Sequence, residues 1–448
     1  MSSVSKLSLL LLAAALPFGF VPPATAEDWT GWMGPDRQGV YRPGSDTTAD
    51  DVSVSPQTEI LWRHPIGGGY AGPAVAGDRV LVFDYQIQSG TIANNPGRRV
   101  NLDGRERVIA LDRQTGDEVW THAYDCPYSI SYPAGPRCTP TIDGNRVYTL
   151  GSEGDLRCLD LADGALQWSV NLKNDFLAEV PIWGFSAHPL VHDDMVITMV
   201  GGPGQGVVAF DKNSGDVKWK SLDARAGYCP PSIVTAGGTD QLIVYHPTAV
   251  ESLNPDDGSV YWTIPVEPMY DMSINRPVVD GNKMFVSGIR SVALMIQLDD
   301  AKPAAKELWY GDPKSAVHGA NSTPMFARGV IYGTDCNEGC LIAVDAADGS
   351  RLWKTFSATQ PGETRRVNHG TAFLTRIGDS DRYLIMAENG DLVVAKLTRD
   401  GYQELGRKHI LSPTGEAFGR DVVWSHPAYA DGVAYARNDK EIVAVAIE

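Results

Sequence analysis

The chain has 448 residues, 43% of them apolar and 21% charged, with a mean hydropathy of -0.18, which excludes both a disordered chain and a bundle of membrane helices. Its 38 Lys and Arg stand against 55 Asp and Glu; the net charge of -17 repels nucleic acid, and no basic run overrides it. The 46 glycines and 29 prolines follow no collagen period and point to many short strands joined by tight turns.

Residues 1–26 read as a secretory signal. Lys6 supplies the positive start, the apolar stretch from Leu7 to Phe20 is too short to span a bilayer, and Ala24-Thr25-Ala26 is a small-residue cleavage site. No cysteine near that site would take a lipid anchor and no later segment is long enough for a transmembrane span, so the expected product is soluble and exported, periplasmic or extracellular. A lead segment over 27–57 contains WTGWMGP.

From residue 58 to 448 the chain repeats one unit. ALDRQTGDEVW ends at Trp120 and returns as CLDLADGALQW at Trp168, AFDKNSGDVKW at Trp219, SLNPDDGSVYW at Trp262 and AVDAADGSRLW at Trp353. QLDDAKPAAKELW reaches Trp309 without the glycine, and AKLTRDGYQEL keeps Gly401 but places Leu405 in the tryptophan slot. The last copy is divided between the chain ends: EIVAVAIE at the C-terminus lacks the turn, while EILW supplies Trp62. Asp or Asn followed by Gly marks a tight turn, and the indole offers apolar area and an N–H that reaches a backbone acceptor on the next unit. Two strand-like runs precede each turn, so the unit is a four-stranded meander of about 49 residues. The predicted fold is an all-β, eight-bladed propeller closed by pairing of the N- and C-terminal strands, which leaves no open sheet edge.

Six cysteines are too few to frame a chain of this length, but Cys336 and Cys340 are spaced to bridge a hairpin turn. They also form half a metal site; no second Cys/His pair stands at zinc-like spacing, so no metal is expected. Cys158 alternates with apolar residues and reads as a buried thiol, and GGPGQG at 201–206 reads as a hairpin turn.

The repeated Asx-Gly-Trp motif resembles the tryptophan-docking repeat of the PQQ-like β-propellers, the superfamily that includes quinoprotein alcohol dehydrogenases and the outer-membrane assembly lipoprotein BamB. The resemblance covers 58–448 and is specific for the fold; the docking residues it identifies, such as Asp112, Gly116 and Trp120, have a structural role and imply no chemistry. WTGWMGP is similar to the start of secreted PQQ-binding-like members.

Seven of the eleven tryptophans fill docking slots, leaving Trp29, Trp32, Trp183 and Trp424. Propeller sites lie where the segments leading into the innermost strands converge on the channel. In alignment, the residues just before the inner-strand Pro or its equivalent are Gly72, Thr139, His188, Pro230, Arg276, Thr323, Thr371 and His426; two positions earlier stand Tyr70, Arg137, Ser186, Tyr228, Ile274, Asn321, His369 and Trp424. Residues two apart in an extended segment share a side. Tyr70, Arg137, Trp183, His188, Tyr228, Arg276, Asn321, His369, Trp424 and His426 are therefore the candidate ligand-binding set, with aromatic faces for stacking and cationic or imidazole groups for a polar or anionic ligand. The structural alternative is that such residues bond only backbone carbonyls and channel water. The insertion over 85–107 and long approach segments at 123–138, 172–187, 356–370 and 407–423 crowd the same face.

The sequence leads to a ligand-binding or protein-interaction scaffold with an unnamed small molecule or protein partner on this face; whether it is also an enzyme stays open. One alternative is a PQQ-dependent quinoprotein dehydrogenase, the reading in which PQQ with calcium is the cofactor. By family resemblance it calls for a disulfide of adjacent cysteines and a calcium cluster, and neither is evident. Another is a hydrolase or lyase using His188, His369 or His426 as general base.

Overall fold

The computed structural model describes residues 27–448, so the secretory signal lies outside the described residues. The repeat folds into eight four-stranded antiparallel blades, whose innermost strands begin at Ala74, Thr141, Leu190, Ser232, Val278, Met325, Ala372 and Ala428. Middle strands are buried on both faces between neighbouring blades and are accordingly continuous in apolar residues, as in Met195–Met199, where all five residues are buried. In the outermost strand Val217–Ser221 only Trp219 is fully buried. Closure is as expected: Ile60–Pro65 pairs antiparallel with Glu441–Ala446.

Docking explains the repeated motif atom by atom. Asp112 Oδ1 accepts the N–H groups of Gln114 and Thr115, and Gly116 N–H closes the turn on Asp112 O at 2.9 Å. The indole of Trp62, one blade back, lies on Gly116 and donates to Arg113 O at 3.0 Å. Trp120, Trp168, Trp219, Trp309 and Trp353 make the same bond to Leu161, Lys212, Pro255, Ala346 and Thr398 O. Glycine is required at Gly164 on two counts: φ is +71°, and a Cβ would lie 2.5 Å from the Trp120 ring. A β-bulge at Val119, opposite the step from Ala110 to Leu111, directly precedes Trp120.

Three seams depart from this pattern; at one, Trp353 keeps the bond to Thr398 O but Gly401 of that turn stands clear of the ring. Trp262 faces the turn that lacks glycine, and its N–H turns to Gln241 Oε1 of its own blade at 2.8 Å instead of a neighbouring carbonyl. Where Leu405 replaces tryptophan, the lead segment covers the joint: Val54 O lies where a Cβ on Gly406 would be, Ser53 N–H bonds Ile447 O, and Arg382 binds Asp50 and Val52 O.

The lead also crosses the channel. Trp29 bridges Val75 of blade 1, Thr30 O accepts Ile142 N–H of blade 2, Arg37 reaches the carbonyls of His188, Pro189 and Pro231 in blades 3 and 4, and Val40–Tyr41 pairs in parallel with Arg376 and Ile377 of blade 7. WTGWMGPDR is thus a plug beneath the loop-rich mouth.

The proposed Cys336–Cys340 bridge is corrected by the structure. All six cysteines are free thiols; Cys336 packs with Ile289 and Ala320 and accepts Arg290 N–H, whereas Cys340 packs with Phe285 and Met295 in a separate cluster. Cys158 is a buried thiol, and 201–206 is the hairpin turn expected of it.

Substitutions at two glycines should separate backbone strain from docking. Gly144 has φ +58° with open space around its Cβ position, so Gly144→Ala should cost about 1–2 kcal/mol. Gly164→Ala should cost a further 1–3 kcal/mol or so through overpacking against Trp120, read as a lower urea midpoint of unfolding.

Candidate functional site

All eight residues of the outer aligned row, from Tyr70 round to Trp424, line one cavity of about 520 Å³ at the channel mouth. The repeat places them there, one per blade at equivalent positions. The deeper row divides: His188, Pro230, Thr323 and His426 line the cavity, while Arg276 does not. Nine of the ten candidate residues therefore share the cavity, Trp183 among them, and Arg276 lies a layer below, buried near the plug.

Trp32 of the plug also lines the cavity, as its floor. Its indole stacks on His188 at 4.8 Å and 13° and meets His426 edge-on at 5.6 Å; His426 in turn packs on Phe373 at 4.2 Å. Around the wall Trp183 meets Tyr228 at 5.5 Å and the Arg137 guanidinium lies 5.1 Å from the Tyr70 ring. Arg137 donates to the carbonyls of Ser131 and Tyr132, so it holds its own loop as well as facing the cavity.

Every long segment singled out in the sequence contributes: Pro96 and Gly97 from the insertion, Tyr132 and Arg137, Trp183 and Ser186, His369, and Phe418. Two buried carboxylates fix these loops. Glu106 accepts Tyr124 OH at 2.5 Å, Tyr128 OH at 2.6 Å and Ser152 N–H at 2.9 Å; burial raises its pKa against those bonds. Glu388 accepts Thr371 N–H, both Nε and Nη2 of Arg420 and, at 3.1 Å, the Trp424 indole N–H. Arg420 belongs to a hairpin, Gly415–Ala417 with Arg420–Val422, whose two-residue turn Phe418-Gly419 has φ of +52° and +77°. That turn normally takes Asn-Gly. Here a phenylalanine occupies the left-handed position and stacks on His369 at 4.7 Å and 4°. Asn94 at the tip of the insertion donates to Glu416 O at 2.7 Å, joining two loops over the mouth.

The imidazoles are neutral. Burial, then Arg37 and His426, holds His188 well below the ordinary range, and its Nδ1 accepts Thr139 N–H at 2.9 Å. Burial lowers His369 to about 4, with Arg290, Arg420 and Arg366 adding to it, and burial lowers His426 to about 3. Among the described residues no Asp or Glu lines the cavity. The site is an aromatic chamber with neutral hydrogen-bonding groups and two cations, Arg137 and Arg290, at its wall.

Sequence reasoning missed Trp32, Tyr132, Tyr270, Arg290, Phe373 and Phe418. Trp32 alone carried a signal, as a tryptophan outside the docking slots.

A family model described as outer membrane protein assembly factor BamB matches residues 104–355 and 277–448. The chain belongs to this BamB family of propellers. It is 26% identical over 357 residues to the BamB of Moranella endobia (strain PCIT), covering 75% of this chain and 82% of that one, and 23% identical to the BamB of Xanthomonas campestris pv. campestris over 88% of both. Among solved structures, BamB from Moraxella catarrhalis matches at TM-score 0.57 and 15% identity over 87% of this chain and 98% of that one; a quinohemoprotein alcohol dehydrogenase from Comamonas testosteroni matches at TM-score 0.62 and 13% identity over 94% and 80%. The structural matches establish the shared propeller.

PQQ with calcium fits the chamber only in its organic half. Trp32, Trp183 and Trp424 offer stacking faces and Arg137 and Arg290 suit carboxylates, but calcium takes six to eight oxygen ligands in which carboxylates predominate, and none lines the cavity. A general base working near neutrality is best served by a pKa near 7, which His369 and His426 lack.

Glu388→Ala should leave Arg420 without its partner and free the Trp424 indole, lowering stability by about 3 kcal/mol and shifting tryptophan emission to the red. The histidines give a pH dependence of definite sign. Their folded pKa values lie below the ordinary 6.5, so their contribution is complete above about 6.5 and is lost as pH falls toward about 4 for His369 and about 3 for His426. Comparing denaturant midpoints at pH 7 and in this acid window, His426→Gln should show a smaller drop than wild type.

Proposed function

We propose that this protein is an exported interaction propeller, in the periplasm or outside the cell, whose loop-rich face docks a partner and whose channel-mouth chamber receives a planar or apolar group of that partner or of a small ligand. The convergence of one residue from each blade on a chamber free of carboxylates carries this reading. Aromatic lining with a few neutral polar groups is the chemistry of a binding pocket.

Exposed apolar tips around the mouth support docking. Leu177 is 88% exposed, Tyr270 62% and Phe418 44%, and all three hold positive φ, at +54°, +61° and +52°. Large apolar residues held in that conformation and in water carry a double cost, which a binding surface offsets. A second cavity of about 360 Å³, bounded by Leu177, Val180, Pro181 and Ile182, shares Tyr228 and Tyr270 with the first and extends the surface outward. No helix among the described residues is long and apolar enough to cross a membrane. The BamB relatives, named as outer membrane assembly factors, make a protein partner the leading choice.

A photo-crosslinking amino acid in place of Phe418 or Tyr270 should give adducts in the cell envelope, and one in place of the exposed Asp379, on the opposite turns, should not. Equal yields at both faces would reject the proposal.

A further inference from the structure

We propose that the channel beneath the Trp32 floor holds a small inorganic anion, of the halide class, between the guanidiniums of Arg37 and Arg276. Both side chains are buried, at 7% exposure each. Arg37 directs its Nη groups to the carbonyls of His188, Pro189 and Pro231, acceptors that carry no formal charge. Arg276 is bonded only through its backbone N–H, to Thr323 Oγ1 at 3.3 Å, and its buried Nε has no partner.

No carboxylate among the described residues pairs with either arginine. Asp36 is the nearest acidic influence on Arg276, yet its oxygens are taken by Arg42 Nη2 at 2.6 Å and Gln38 N–H at 3.0 Å. The thiol of Cys229, close to Arg276, is pushed by burial up to about 12 and stays neutral. Burial and then Arg276 lower Arg37 to about 9, and burial lowers Arg276 to about 10, so both remain charged at neutral pH. Two buried cations with no carboxylate paired to them are costly, and an enclosed anion lowers that cost.

The ring lattice explains why Arg276 is available. In this row a side chain accepts the N–H of the preceding blade: Thr139 from Gly72 at 3.1 Å, His188 from Thr139 at 2.9 Å, Thr323 from Arg276. Before Arg276 stands Pro230, which has no N–H to offer, and arginine has no acceptor. The guanidinium thus has no place in the lattice. Neither cavity described above includes Arg276 in its lining.

The test is thermal unfolding with chloride exchanged for gluconate at constant ionic strength, beside bromide-soaked crystals of the wild-type protein. The wild-type midpoint should rise by a few degrees and saturate with chloride, as a ligand of the folded state requires. Arg276→Met should lose that dependence while Arg276→Lys keeps it at weaker affinity, and anomalous bromide density should lie between Arg37 and Arg276. Equal chloride responses in wild type and Arg276→Met, or bromide density only elsewhere, would overturn the proposal; should Arg276→Met not fold, the bromide map decides alone.

Discussion

Everything in this molecule rests on an indole laid over a glycine turn of the next blade. The contact joins apolar burial to a directed N–H bond, and the turn glycine serves it twice, by adopting positive φ and by leaving room for the ring. Repeated around the circle, it fixes the angle between neighbouring sheets and so the position of every inner strand. The irregular seams show how the ring tolerates exceptions: Gln241 takes the indole N–H of Trp262, Trp353 keeps its carbonyl bond without a glycine beneath it, and residues 50–54 of the lead cover the joint at Leu405.

A scaffold held this way leaves the mouth free to vary. The loops above the channel are fixed by their own buried anchors, Glu106 under one and Glu388 under another, so Tyr132, Trp183, Phe418 and Trp424 stand at the mouth outside the core clusters of the blades. The result is an aromatic chamber whose histidines are held below their ordinary pKa range by burial and whose lining, among the described residues, includes no carboxylate. Aromatic faces with a few neutral polar groups are the chemistry on which the proposed docking role rests.

The plug joins these two levels. A segment that reads in sequence as a mere lead forms the chamber floor with Trp32 and sends Arg37 to the carbonyls of His188, Pro189 and Pro231 in blades 3 and 4. One short stretch thereby closes the chamber from below and ties together blades 1, 2, 3, 4 and 7.

Blade number, closure and the ring of eight lining residues were legible in the sequence because each depends on local turns and nearest-neighbour contacts that recur at a fixed spacing; the phase of the repeat alone assigns Tyr70, Ser186 or Trp424 to the mouth. The deeper row was only half legible: the plug, not the repeat, decides that His188 and His426 line the chamber and Arg276 does not. The pairing of Phe418 with His369, the meeting of Asn94 with Glu416 and the separation of Cys336 from Cys340 had no periodic signal. They arise from contacts between segments that occur once in the chain, 322 residues apart in the case of Asn94 and Glu416. Periodicity determined the frame, and tertiary packing decided what stands inside it.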